Sequence, residues 1–317
     1  MSCPEIGLHI NVNKNQDDTF INLLTNMDKI NLEQPLVEAK WLKDHLGSGN
    51  LIIINATMPK VVAATTDCRA KEVQIPNAIF LDIKGAFSRT ESTYPNTMIG
   101  EDDFNEAAAA LGINNDSAIV VYDDHGIYSS ARAWWMFRSM GHENVAVLNG
   151  GLKRWQTLGF PTENKSNTLV QKGNFKGTYN NAFFKNHLQV LDNISSEEKL
   201  VVDARANERF KGLVEEPRKG LRSGHIPNSV SLPYTELLKN DLMLEEDTLK
   251  TIFKDRLPEN KNLIFSCGSG ITACILALGA EIAGYRNPSV YDGSWTEWGS
   301  ITTLPIEKGE NKLLKRP

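Results

Sequence analysis

The chain is written twice. NVAVLNGGLKRW (144–155) runs without gaps along NPSVYDGSWTEW (287–298), and IPNAIFL (75–81) runs along IPNSVSL (226–232). IIINAT (52–57) pairs with LVVDAR (200–205), and AIVVYDDHG (118–126) with NLIFSCGSG (262–270). Four blocks in one order, separated only by what loop insertions allow, mark an internal duplication. Whatever one half folds into, the other must fold into as well.

Each half alternates strand and helix signals. The short β-branched runs Leu51–Ile54, Ala118–Tyr122, Leu200–Val202 and Leu263–Phe265 are bounded by turn residues, as buried parallel strands are. Between them lie helical stretches such as DDFNEAAAALG (102–112) and SARAWWMFRSMG (130–141), the second ending on a glycine. The fold class that follows is α/β: two tandem domains, each a mostly parallel sheet with helices on both faces. The predicted organisation is an N-terminal extension over 1–34, a first domain over 35–159, a polar linker over 160–184, a second domain over 185–309 and a tail over 310–317.

The halves differ at one telling place. Where the first has Asp123 in a long D-D-H-G-I-Y-S-S-A loop, the second has Cys267 in the compact C-G-S-G-I-T-A. Strand Leu263–Phe265 delivers this cysteine to the carboxyl edge of its sheet, where α/β sites lie. Gly268 and Gly270 let the backbone curl with its N–H groups inward, and Ser269 and Thr272 add hydroxyls around Ile271. A helix starting near Thr272 would aim its positive end at the sulfur. Such surroundings favour negative charge on a cysteine and would hold an anionic adduct on it. The loop reads as an anion nest around a nucleophile.

The remaining composition narrows the chemistry. Four cysteines (Cys3, Cys68, Cys267 and Cys274) contain no CxxC pair, and the six histidines do not join them at ligand spacing, so neither a metal site nor a cofactor is expected. With a net charge of -5 and no clustered Lys and Arg, no nucleic-acid partner is expected. No apolar run is long enough for a bilayer, so no membrane partner is expected. The N-terminus lacks a basic n-region and an apolar h-region, and the expected location is cytoplasmic.

C-G-S-G-I-T-A (267–273), YDGSWTEW (291–298), VVDARANERFKG (201–212), EPRKGLRSGHIPNS (216–229), SSARAWWMFRSMGH (129–142) and GGLKRW (150–155) together resemble the tandem rhodanese-type sulfurtransferases, most closely those acting on 3-mercaptopyruvate. The resemblance covers about residues 35 to 305. It implies that Cys267 takes sulfur from a small-molecule donor as a persulfide and passes it to a thiol, a thioredoxin-like reductant or cyanide, in two displacements. It also implies that Arg209 and Arg218 grip the donor's carboxylate and keto oxygen, a task suited to guanidinium. Thiosulfate-preferring relatives carry basic residues inside the loop, whereas Gly268 and Ser269 are neutral here, which points to mercaptopyruvate. The family's relay from an acid and a histidine to the loop serine is missing: Lys84 stands at the acidic position and Thr97 at the histidine position, and Gln74 replaces another usual histidine. Ser269 is then left as a hydrogen-bond donor to substrate or persulfide.

Other residues read as structural. Asp203 and Arg205 suit a strand-end ion pair, His225 a turn, Trp295 and Trp298 core and interdomain packing, and Cys274 packing rather than a resolving thiol. Two further functions remain open, a thiosulfate sulfurtransferase and a persulfide carrier serving a partner protein, for instance toward tRNA thiolation. A cysteine phosphatase needs arginine six residues past its cysteine, and that residue is Ala273.

Overall fold

The computed structural model describes residues 29–61, 72–165, 170–258 and 261–310. Most of the predicted N-terminal extension, most of the tail, Cys3 and Cys68 lie outside the described residues. In the first half, strands β1 (Leu36–Val37), β2 (Leu51–Asn55), β3 (Ile79–Phe80), β4 (Ala118–Tyr122) and β5 (Val145–Leu148) form a wholly parallel sheet in the order β1-β5-β4-β2-β3. In the second, β6 (Phe184–Lys185), β7 (Lys199–Asp203), β8 (Ser229–Ser231), β9 (Asn262–Ser266) and β10 (Ser289–Tyr291) repeat it as β6-β10-β9-β7-β8, again all parallel. Each strand has its counterpart in the other half, as the repeated blocks require.

Helices cover both faces. Ala39–Asp44 (α1) and Gly151–Thr157 (α4) cover the outer face of the first sheet, where Leu42, Leu152 and Trp155 pack under Val120 and Tyr122. The opposite side chains of β4, Ile119 and Val121, enter a larger core shared by both domains. Into that core go Glu101–Ala110 (α2), Ser130–Ser139 (α3), Glu246–Arg256 (α7) and Ala273–Ile282 (α8). Helices α3 and α8 are buried on nearly every side, which is why their sequences show no polar face. His187–Ser196 (α5) and Ser294–Trp298 (α9) cover the outer face of the second sheet. The short helix Asn207–Phe210 (α6) follows β7. Trp295 and Trp298 belong to this outer core and not to the domain boundary; Tyr128 meets Tyr234 across the domains, and Trp135 meets Phe183 of the connecting segment.

The segment expected to be a linker is a strap. Gly173, Phe175, Thr178 and Asn180 donate backbone hydrogen bonds to Ala109, Ile113, Met140 and Ser139 of the first domain. A Cβ at Gly173 would lie 2.1 Å from the Ile113 carbonyl oxygen, so glycine there serves close approach rather than flexibility. Phe184, placed at the linker's end by the sequence, is already the first residue of β6.

The two domains grip each other reciprocally. After β3 the chain doubles back so that Met98 donates its N–H to Asp292 of the second domain, and after β8 the matching ribbon lets Met243 donate its N–H to Asn149 of the first. Asp292 and Asn149 occupy equivalent positions in the duplicated blocks. Each ribbon turns through left-handed residues, Asn96 in one and Asn240 and Asp241 in the other. On one side the grip is charged: Arg132, 0 % exposed, places Nη2 2.7 Å from Asp292 Oδ1 and 2.7 Å from the Asn96 carbonyl, with its guanidinium over the Phe184 ring. Asp292→Ala leaves a buried guanidinium and the Met98 N–H without their acceptor, and should cost about 3–5 kcal/mol in urea unfolding. Removing the rim pair Arg138–Glu281 by Arg138→Ala should cost no more than about 1 kcal/mol.

Candidate active site

Strand β9 ends at Ser266 and hands over directly to Cys267, at the carboxyl edge of the second sheet. The loop's carbonyls are claimed from behind by the DGSWTEW block: Trp295 N–H donates to the Cys267 carbonyl at 3.0 Å, and both the N–H and the hydroxyl of Thr296 donate to the Gly268 carbonyl. Ser294, held at a left-handed φ of 49°, accepts the Cys267 N–H on Oγ at 3.1 Å. This is the physical reason the two motifs travel together. With its first two carbonyls turned back, the loop has no acceptor among the described residues for the N–H groups from Gly268 to Ala273. Successive peptide donors without protein partners beside a cavity suit an anion.

The two glycines have different work. Gly270 is left-handed at φ 77°, and a Cβ there would meet the Asp292 carbonyl at 2.7 Å. Gly268 is not left-handed; it leaves room, since a Cβ would stand 3.3 Å from Arg209 Nη2 and 3.8 Å from Arg218 Nη1. Helix α8 begins after Thr272, as expected, with its N-terminus behind the loop.

Cys267 is only 1 % exposed, yet it is not sealed away. It lines an open-mouthed cavity of about 250 Å³ together with Gly268, Ser269, Ile271, Thr272, Arg209 and Arg218. The volume is below the roughly 300–1,000 Å³ typical for drug-sized ligands and suits a donor of a few heavy atoms. Beyond the residues named from sequence, the first domain contributes Lys60 and Tyr128, and the second contributes Tyr234. Burial pushes the Tyr128 phenol up to about 12 and raises that of Tyr234, so both face the cavity as neutral groups. Only the fold could show that the first domain walls the site, because these residues lie in loops with no motif of their own.

Charge in the cavity sorts into pairs and remainders. Glu216 accepts from Arg205 Nη1 at 2.9 Å and from Arg209 Nε and Nη2 at 3.2 and 2.6 Å; Asp203 takes the other edge of Arg205. Arg205 also lies over Trp295 and is buried, its guanidinium held by Asp203, Glu216 and the Gly224 carbonyl. Arg209 therefore reaches the cavity with one edge of its fork already committed. Lys60 and Arg218 have no carboxylate partner among the described residues, and Arg218 touches only Ser269 Oγ, at 3.4 Å. Lys84 is exposed on the surface, and Thr97 turns its hydroxyl to the Tyr94 carbonyl. The residue of that segment at the loop serine is Asn96, one position earlier than the sequence alignment placed it: its Nδ2 lies 3.0 Å from Ser269 Oγ. His225 is buried, stacked on Phe210 and bonded to its carbonyl, and burial lowers its pKa; it does not reach the cavity. Cys274 is fully buried behind the loop, its thiol donating to the Gly270 carbonyl and pushed up to about 12 by burial, and it does not line the cavity. Gln74 bridges the Ala78 carbonyl and Glu163, holding the ribbon that the first domain builds from residues 73–74 and 163–164.

Gly270→Ala should disable the loop and destabilise the protein by at least about 1–2 kcal/mol, the penalty for a side chain in left-handed backbone. Gly268→Ala should keep stability within about 0.5 kcal/mol while pressing on Arg209. Thermal unfolding with a parallel activity assay separates the two.

Comparison with known proteins agrees with this geometry. The sequence model of the rhodanese-like domain matches twice, over residues 38–158 and 187–301. The chain is 38% identical over 280 residues to the mouse 3-mercaptopyruvate sulfurtransferase, covering 84% of this chain and 92% of that protein. It is 37% identical over 276 residues to the rat thiosulfate sulfurtransferase, again covering 84% and 92%. The crystal structure of the Escherichia coli 3-mercaptopyruvate sulfurtransferase SseA superposes with a TM-score of 0.73 at 33% identity, covering 83% of this chain and 99% of that one. The chain belongs to the rhodanese family, in the tandem-domain form shared by these sulfurtransferases.

Proposed function

We propose that the protein takes sulfur from 3-mercaptopyruvate onto Cys267 as a persulfide and delivers it to a thiol acceptor. The supporting observation is internal. In the first domain the position of Cys267 is held by Asp123, which is fully buried, and its Oδ2 accepts the N–H groups of Tyr128, Ser129 and Ser130 at 2.8, 3.0 and 2.9 Å and the Ser130 hydroxyl at 2.6 Å. Oδ2 stands two bonds beyond Cβ, the same place that the outer sulfur of a cysteine persulfide takes. Counting back from the two helix starts, those donors correspond to the N–H groups of Ile271, Thr272 and Ala273 in the second domain. One half of the duplication carries an aspartate carboxylate in its nest; in the other, no acceptor among the described residues fills the matching place, and a cysteine stands at its rim.

In the first displacement the Cys267 thiolate attacks the donor's sulfur. The carbon–sulfur bond breaks, its electron pair leaves as pyruvate enolate, and the enolate takes a proton while the outer sulfur stays as the anion on Cys267. In the second, an acceptor thiolate attacks that outer sulfur, the sulfur–sulfur bond breaks and the Cys267 thiolate returns. The charges of Arg218 and Lys60, which have no carboxylate partner among the described residues, match a thiolate and a donor carboxylate together. Arg218 is the principal carboxylate partner, with Arg209 supporting through its free edge. A thiosulfate reading keeps its place because mouse and rat relatives of different printed activity are almost equally similar to this chain.

Incubation with 3-mercaptopyruvate should release pyruvate and leave one cyanide-labile sulfur per chain, and Cys267→Ser should abolish both. Arg218→Ala should lower kcat/KM for mercaptopyruvate by roughly 10- to 150-fold, the worth of a hydrogen bond to a charged group. The loss for thiosulfate should be smaller; equal use of both donors by the unmodified protein, with equal losses in the variant, supports the thiosulfate reading instead.

A further inference from the structure

We propose that Asn96 is a positioning residue that fixes the polarity of Ser269, so that the serine hydroxyl can only donate, and only into the cavity. A hydroxyl has one proton to give and two lone pairs to fill. Around Ser269 Oγ the structure places two donors that cannot accept through those atoms: Asn96 Nδ2 at 3.0 Å and Arg218 Nη2 at 3.4 Å. The orientation of the Asn96 amide is set by a second contact, since Nδ2 also lies 3.5 Å from the Ser269 backbone carbonyl, which can only accept. With both acceptor positions taken, the serine proton is directed at neither neighbour. Ser269 is 5 % exposed and lines the cavity beside Cys267, which is the direction left.

Asn96 is built to hold still. It is 6 % exposed, sits at a left-handed φ of 66° that asparagine tolerates better than most residues, and has its own carbonyl pinned by Arg132 Nη2 at 2.7 Å. The first domain thus uses its interdomain anchor to set the hydrogen-bonding sense of a group in the second domain's loop. On the sulfur-transfer reading, on which this inference rests, the serine proton meets the donor oxygen that gains charge as the carbon–sulfur bond breaks. Its effect therefore falls on the rate of cleavage. An amide in this place does not exchange protons with the serine, so Ser269 polarises without relaying.

The test is Asn96→Asp, which keeps size and backbone tolerance but replaces a donor with an acceptor. The serine proton then turns to the new carboxylate and leaves the cavity. In steady-state pyruvate release, kcat should fall about 10²-fold, the cost of losing one such donor, with KM changed less than about twofold. Ser269→Ala should show a similar fall, and Asn96→Asp placed on Ser269→Ala should add nothing. Asn96→Gly, which frees the serine without reversing it and is unstrained at this φ, should lose less than Asn96→Asp. Full kcat in Asn96→Asp, a loss confined to KM, or a loss that persists undiminished in the Ser269→Ala background would overturn the proposal. If the unmodified protein acquires no cyanide-labile sulfur, the parent reading fails and not this one.

Discussion

Asp292 is the residue on which the molecule's geometry converges. One carboxylate, at the end of β10, receives the Met98 N–H and the Arg132 guanidinium from the other domain, while its own carbonyl sits beneath Gly270. A charge as fully buried as Arg132 is tolerable only when its partner is close, and here Asp292 and the Asn96 and Gly270 carbonyls meet the two terminal nitrogens. The domains are consequently held in one register, since a small slip would strand the guanidinium. Its counterpart, Asn149, makes the mirror contact to Met243 without charge. The duplication supplied a symmetric handshake, and the stronger grip lies on the side that carries the cysteine.

That grip ties the cysteine loop, present in one half only, to the other domain. The first domain seats Arg132 and Asn96 against the Cys267 loop and walls the cavity with Lys60 and Tyr128. In return the second domain's ribbon fills the space in front of the first domain's loop: a Cβ at Gly126 would lie 2.4 Å from that of Asp241, and one at Gly150 2.5 Å from Leu242 Cδ2. The first domain's loop is covered and bonds its own Asp123 carboxylate, whereas the Cys267 loop opens into a cavity.

Much of this was legible in the sequence because it is local or repeated. That both halves share one α/β sheet follows from two matching sets of blocks, and the loop's chemistry from a cysteine set among glycines after an apolar run. What was not legible depends on which residues meet across the fold. Glu216 is nine-tenths buried and occupies one edge of Arg209, so a guanidinium read as a free substrate clamp turns out half engaged. Gly268 was read as letting the backbone curl, and its lack of a side chain also leaves room beside Arg209. Thr97 was one residue off, because the left-handed turn at Asn96 swings that side chain, and not the next one, toward Ser269. The strap over 170–183 looked unstructured because its order comes from bonding to the first domain and not from any periodic pattern of its own.

The central claim is that the peptide groups after Cys267 are arranged for a negative charge two bonds beyond its Cβ, and the first domain suggests how to measure it. Cys267→Asp should place a carboxylate where Asp123 has one, and Cys267→Asn is its uncharged isostere. By urea unfolding at neutral pH the aspartate variant should be the more stable of the two. A carboxyl whose folded pKa is depressed stabilises above its unfolded pKa, so the advantage should disappear as pH falls from about 4. An aspartate variant less stable than the asparagine variant at neutral pH, behaving as an uncompensated buried charge, would contradict the account.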